Sequence, residues 1–133
     1  LGHRILSSDR THAPIAAAGL RDLLLLFCGR RLLLRIEGRS MQPTLEPGDR
    51  VLVRRLGQNA APNLGSVVVT RHPQRSELRL IKRLSRVDST GLWLLGDNPA
   101  ESTDSRQLGA VPANLLIGEV VGRLPLGESE QSR

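Results

Sequence analysis

Aromatic side chains are nearly missing from this sequence of 133 residues: tyrosine is absent, and Phe27 and Trp93 are each the only one of their kind. A core must therefore be built from Leu, Val, Ile and Ala, and a nucleic-acid platform has almost nothing on which bases can stack. Cysteine occurs once, at Cys28, which excludes an internal disulfide and a cysteine-rich metal site. Lysine also occurs once, at Lys82, among 19 lysines and arginines. A long apolar run is lacking too. The stretch Leu23–Gly29 has Arg21-Asp22 before it and Arg30-Arg31 after it. A spanning helix needs about 20 mostly apolar residues, so this segment is a poor anchor and a poor cleavable signal.

What is present suits one modest domain. Pro14 is placed to open a helix over Ile15–Cys28, with Gly29 to end it. Short apolar runs follow at Leu32–Ile36, Val51–Val53, Ser66–Thr70, Leu78–Leu84, Leu92–Leu95 and Leu115–Leu124, separated by Gly and Pro. They predict a small, mainly β, antiparallel domain with an N-terminal helix. The Ser66–Thr70 and Lys82 strands are close enough to form a hairpin. The expected organisation is a tail and helix over 1–30, packed on the domain or a surface, a β domain over 31–126, and a flexible tail over 127–133. The formal charge of +6 sits largely between Arg50 and Arg86, on strand faces that read as outward and solvated.

The chain is organised around Gly38–Asp49. An apolar run enters this stretch and another leaves it, and Pro43, Pro47 and Gly48 prevent a helix or a long strand between them. Ser40 lies just past the break, where a rigid turn presents a hydroxyl at a surface. Turns are rich in serine anyway, so this alone is a weak signal. Lys82 adds to it. Leu78, Leu80, Lys82 and Leu84 alternate with Arg79, Ile81, Arg83 and Ser85, which puts Lys82 on the leucine face of a strand. Burial disfavours the ammonium form, and a neutral lysine is a competent general base. His3 and His12 fall in a loose start, and His72 in what reads as an exposed turn, where the sequence leaves it open as an alternative base.

Ser40-Met41-x-Pro43-Thr44-Leu45 with Gly48-Asp49-x-Val51 resembles the nucleophile box of the type I signal peptidase family. Lys82-Arg83 resembles its lysine box. Gly96-Asp97-Asn98, Ser102-x-Asp104-Ser105-Arg106 and Gly109-x-Val111 resemble its third box. The resemblance implies a β fold with coiled strands and a serine endopeptidase that removes an N-terminal signal or pro-segment from a protein substrate. Ser40 would be the nucleophile and Lys82 the base. Ser102 would hydrogen-bond the lysine, and Asp104 with Arg106 would form a salt bridge that holds the loop. Asp97 and Asn98 would support the site, and Ser40, Met41 and Gly38 would line the oxyanion and substrate position. Gly38 stands where many members carry a serine that helps bind the oxyanion, so the oxyanion must rely on backbone N–H groups. Pro99 and Leu108 are smaller departures, from a basic residue and an aromatic one.

Small size and a weak anchor further resemble the maturation proteases of nickel-type superoxide dismutase. The resemblance implies no cofactor or metal and no nucleic acid. No transmembrane anchor is expected, and peripheral membrane contact is compatible with it. The expected setting is bacterial, in the cytoplasm or peripheral to the membrane. Two alternatives stand beside this reading. One is a non-catalytic basic β module for nucleic acid or anionic lipid. The other is a self-cleaving repressor-type domain, for which the first 37 residues offer no convincing DNA-binding segment.

Overall fold

The Val- and Leu-rich runs fold as strands because β-branched and leucine side chains fill a pleated surface buried on both sides. A computed structural model describes residues 4–5, 12–57 and 60–124. In chain order the elements are β1 (Arg4–Ile5), α1 (Leu20–Phe27), β2 (Arg31–Arg35), β3 (Arg50–Arg55), β4 (Val67–Arg71), β5 (Arg79–Asp88), β6 (Gly91–Leu95), α2 (Ser105–Leu108) and β7 (Leu116–Leu124). The strands form one seven-stranded sheet in the order β1-β5-β4-β7-β3-β2, with β6 also paired to β5. Every strand pairing in it is antiparallel. The mainly β fold expected from the sequence is the fold found, and β4 and β5 form the expected hairpin.

Three register shifts, at Leu52/Val53, Val69/Thr70 and Leu84/Arg86, bend the strands. Such bulges increase twist and let a single sheet coil. Two apolar clusters result. One gathers Ile36, Met41, Leu45, Val51, Val53, Val67, Val69 and Val120. The other gathers Val68, Leu84, Leu92, Leu94 and Val111. Val67 and Val69 belong to the first cluster and Val68 to the second, so successive residues of β4 feed opposite faces.

Two expectations need correction. The helix is shorter than Ile15–Cys28 because residues 16–18 take an extended path along β7. Ala18 N–H donates to Arg123 O at 2.9 Å, and Arg123 N–H donates to Ala16 O at 2.9 Å. These bonds satisfy backbone groups that a helix start would leave open. Nor do the arginines all lie on solvated faces: Arg83 is only 3% exposed, and Arg86 stacks on the Trp93 ring at 4.2 Å. The tail over 127–133 lies outside the described residues, as does most of the loose start, although Arg4–Ile5 pairs with β5.

Thr70 is wholly buried, and its hydroxyl has no hydrogen-bond partner among the described residues. Thr70→Val keeps the shape and removes the stranded polar atom. It is expected to raise the unfolding free energy by about 1 kcal/mol, read as a higher urea midpoint at unchanged m-value. A lower midpoint would show that the hydroxyl is satisfied.

Candidate active site

The turn Ser40–Leu45 forms because Pro43 and the flanking glycines exclude regular structure, and it is pinned from both sides. Leu45 N–H donates to Met41 O at 2.9 Å, and both side chains are buried in the first cluster. Gly38, at the entry, has a φ of +75°, a backbone conformation that favours glycine. Ser40 itself is half-buried. It lines a groove of about 440 Å³ together with Met41, Lys82, Leu34, Ile36 and Leu80. The structure thus brings Ser40 and Lys82 to one groove from positions 42 residues apart.

Lys82 is 6% exposed, on the same strand face as Leu80 and Leu84. Burial lowers its pKa from the ordinary lysine value. The charge of Asp104 pulls it back up, and that of Arg106 pushes it further down. The like charge acting on it is that of Arg106. Arg83 points the other way, into a buried ion pair.

The loop after β6 supplies the surroundings. Asp104 is fully buried. Its Oδ2 accepts from Ser102 Oγ at 2.6 Å, Gly96 N–H at 2.8 Å and Arg106 Nη2 at 2.6 Å. Its Oδ1 accepts from Arg106 N–H at 3.1 Å and Nε at 2.9 Å. Burial alone would raise this carboxyl. The hydrogen bonds from Arg106, Gly96 and Ser102 outweigh it and hold the group well below the usual carboxylate range. Asp104 also caps α2, reciprocally with Gln107. The expected Asp104–Arg106 salt bridge is present. Ser102, expected to bond the lysine, donates its proton to Asp104, which leaves its oxygen able to accept. A Cβ on Gly96 would lie 2.2 Å from Ser102 Oγ and 2.7 Å from Ser40 O, so only glycine lets this loop close on the Ser40 turn.

Asp97 makes a second clamp. It is bound by Arg83 through Nε at 2.9 Å and Nη2 at 2.7 Å, and by Thr44 Oγ1 at 2.6 Å. Arg83 Nη1 also donates to Gly65 O at 2.7 Å. Asn98 N–H donates to Ser40 O at 2.9 Å, and its side-chain amide donates to Arg39 O at 3.1 Å. Sequence reasoning missed Arg83 and Thr44 as members of the site. The available signal was the alternation that placed Arg83 opposite Lys82, in a chain whose third box carries a carboxylate, Asp97, with no partner named for it. It also missed His12, whose Nε2 lies 3.5 Å from Asp97 Oδ1. His72 accepts from the N–H groups of Gln74 and Arg75 at the hairpin turn and does not line the groove. Among the described residues no group of His, Cys, Asp and Glu could hold a metal ion.

Residues 24–120 match the family described as Peptidase S24-like. The chain belongs to the Peptidase S24-like family. Its curated relatives bear protease names. Mitochondrial inner membrane protease subunit 1 of Schizosaccharomyces pombe is 35% identical, with 65% of this chain and 69% of that protein covered. The protein of the same name from Xenopus tropicalis is 29% identical, with 72% and 74% covered. Subunit 2 of the Schizosaccharomyces pombe protease is 29% identical, with 67% and 62% covered. Family and relatives together make the chain a serine peptidase of the S24 type. They do not support the narrower likeness to nickel superoxide dismutase maturation proteases. They also overturn the expected bacterial setting, cytoplasmic or membrane-peripheral, because these eukaryotic relatives are named for the mitochondrial inner membrane.

The lowered pKa of Lys82 has a consequence for stability. A buried lysine opposes folding wherever the unfolded chain is protonated. The cost is complete below the folded pKa and fades as pH rises toward the unfolded value of about 10.4. Lys82→Met, of similar length and apolar, is therefore expected to be more stable than wild type by about 1–2 kcal/mol at neutral pH. The two should converge as pH approaches the ordinary lysine range. Urea titrations of both proteins at several pH values test this, and an unchanging difference would contradict the assigned cause.

Proposed function

We propose that the groove is the active site of a serine endopeptidase in which Ser40 is the nucleophile and Lys82 the general base. The substrate is a protein from which an N-terminal signal or pro-segment is removed. The observation that carries this reading is that the chain's one lysine is buried, lowered in pKa, and shares a groove with Ser40. An arginine there could not release its proton near neutrality.

In this mechanism neutral Lys82 Nζ takes the proton of Ser40 Oγ as Oγ bonds to the scissile carbonyl carbon. The tetrahedral intermediate collapses, the C–N bond breaks, and the Lys82 ammonium gives its proton to the departing amine. Water, deprotonated by Lys82, then attacks the acyl ester. The Oγ–C bond breaks, and Ser40 regains its proton. Ser102, with its own proton on Asp104, accepts from Nζ and aims it at Ser40. The oxyanion is received by backbone N–H groups, that of Ser40 among them, since Gly38 offers no hydroxyl. Met41 and the other apolar side chains of the groove receive the substrate chain.

The names of the relatives support work at a mitochondrial inner membrane. The pro-segment of nickel superoxide dismutase has no support from them and is not carried forward as the substrate.

Ser40→Ala and Lys82→Arg are each expected to lower kcat/KM on a cleavable precursor by about 10⁴-fold or more, with unchanged circular dichroism. Full activity in either variant would end the assignment. The wild-type rate should rise with pH along a single limb below the ordinary lysine pKa of about 10.4. Ser102→Ala should lower kcat about tenfold or more with little change in KM, because it disturbs the base and not the substrate groove. A profile that is flat and unmoved by Ser102→Ala would remove Lys82 from the role of base.

A further inference from the structure

The outer end of the groove carries charge that nothing among the described residues neutralises. Arg71 of β4 and Arg79 of β5 stand directly opposite each other at the end of that strand pairing. Both are exposed, and neither forms an ion pair among the described residues. Arg75, exposed in the turn between the two strands, adds a third cation. Like charges directly opposite each other oppose the pairing of their strands. Arg31 and Arg54 are also opposite each other, but Asp22 takes up the first and Glu119 the second. Arg71 and Arg79 have no such carboxylate.

The register fixes the face on which this pair lies. Val69 is opposite Ile81, and Arg71 is opposite Arg79. Residues opposite each other share a face, and the face repeats every second position. The arginines therefore continue the face of Val69 and Ile81. Val69 belongs to the first apolar cluster with Ile36 and Met41, and Ile81 packs against it. Ile36, Met41, Ile81 and Arg79 all line the groove that holds Ser40 and Lys82. Arg79 is three residues from Lys82, or about 10 Å along an extended strand. An extended peptide whose scissile bond sits at Ser40 thus brings a residue about three to five positions away to the arginines. Glu77 lines the same end of the groove but forms no ion pair with either of them.

We propose that Arg71 and Arg79 are specificity-determining residues that bind an aspartate or glutamate side chain of the substrate, on the stretch that runs along the groove away from the scissile bond. A carboxylate between two guanidinium groups accepts charge-assisted hydrogen bonds from both and removes their mutual repulsion. Arginine suits the task because its planar fork matches the two oxygens of a carboxylate. The inference rests on the reading of the groove as the substrate groove of a peptidase.

Binding is tested on the full chain carrying Ser40→Ala, which keeps the groove and cannot form the acyl ester. The probes are fluorescein-labelled decapeptides of alanine and serine that carry two adjacent glutamates, two adjacent lysines or neither. By fluorescence anisotropy at low salt, the glutamate peptide should bind about fivefold tighter than the neutral one, and the lysine peptide weaker than either. Arg71→Gln with Arg79→Gln should erase the difference, Arg71→Glu with Arg79→Glu should reverse it, and Glu77→Gln should widen it. Cleavage is tested with the wild-type chain on a peptide mixture from a protein digest, the cut sites being read by mass spectrometry. Asp and Glu should be enriched about three to five positions from the cut on one side, and the paired glutamate variant should replace them with Lys and Arg. Equal binding of the three peptides, a preference that survives the paired glutamine variant, or cut sites without acidic enrichment would each overturn the proposal. So would tighter binding of a single-stranded oligonucleotide than of the glutamate peptide, which would assign the arginines to nucleic acid. An acidic preference in binding, with no cleavage by the wild-type chain, would count against the peptidase reading alone.

Discussion

The buried carboxylate of Asp104 is the interaction on which the site depends. The loop from Gly96 to Gly109 has few apolar side chains of its own to hold it. Instead one unexposed carboxylate takes hydrogen bonds from Gly96, Ser102 and Arg106. Opening the loop would leave a charge buried without partners or force it into water with its bonds broken, and either is costly. The loop therefore stays closed on the Ser40 turn, and its closure sets the surroundings of Lys82. Asp104 draws the lysine toward its charged form, and Arg106 opposes this. Burial is the larger effect, and it decides the direction.

The same loop reaches both faces of β5. Consecutive strand residues point to opposite sides, so Lys82 and Arg83 face different surroundings. Asp104 acts on the first, and Asp97 binds the second. Through Thr44, Asp97 also holds the turn that carries Ser40. Three segments far apart in sequence are thereby tied at two points, and neither Ser40 nor Lys82 depends on a flexible element for its place. The arrangement spends stability on position: a lysine kept from water opposes folding, and the two ion pairs on either side offset that cost.

Much of this was legible in the residues. Period-two patterning located the strands, Pro and Gly located the turn, and the solitary lysine on a leucine face marked a candidate base. These are local properties, since alternation, turn chemistry and side-chain type act over a few residues. The motif at Gly96–Val111 was visible as a pattern, but its roles were only partly readable. That Ser102 donates to Asp104 was not readable, because a hydroxyl proton goes to the nearest buried charge, and which charge is nearest depends on how the loop closes.

The antiparallel β character, the rigid serine turn and the apolar setting of Lys82 each follow from short-range sterics and hydrophobic periodicity along the chain. The rest depends on contacts made when the chain folds. Arg83 is buried because Asp97 arrives from another segment to pair it. Residues 16–18 are extended because the end of β7, more than 100 positions later, offers them backbone partners. The helix that follows is short, and among the described residues Leu20, Leu24 and Phe27 stay exposed because neither apolar cluster takes them in. Each of these outcomes turns on a contact between distant segments, and such contacts are set by the register of the sheet, not by the residues on either side.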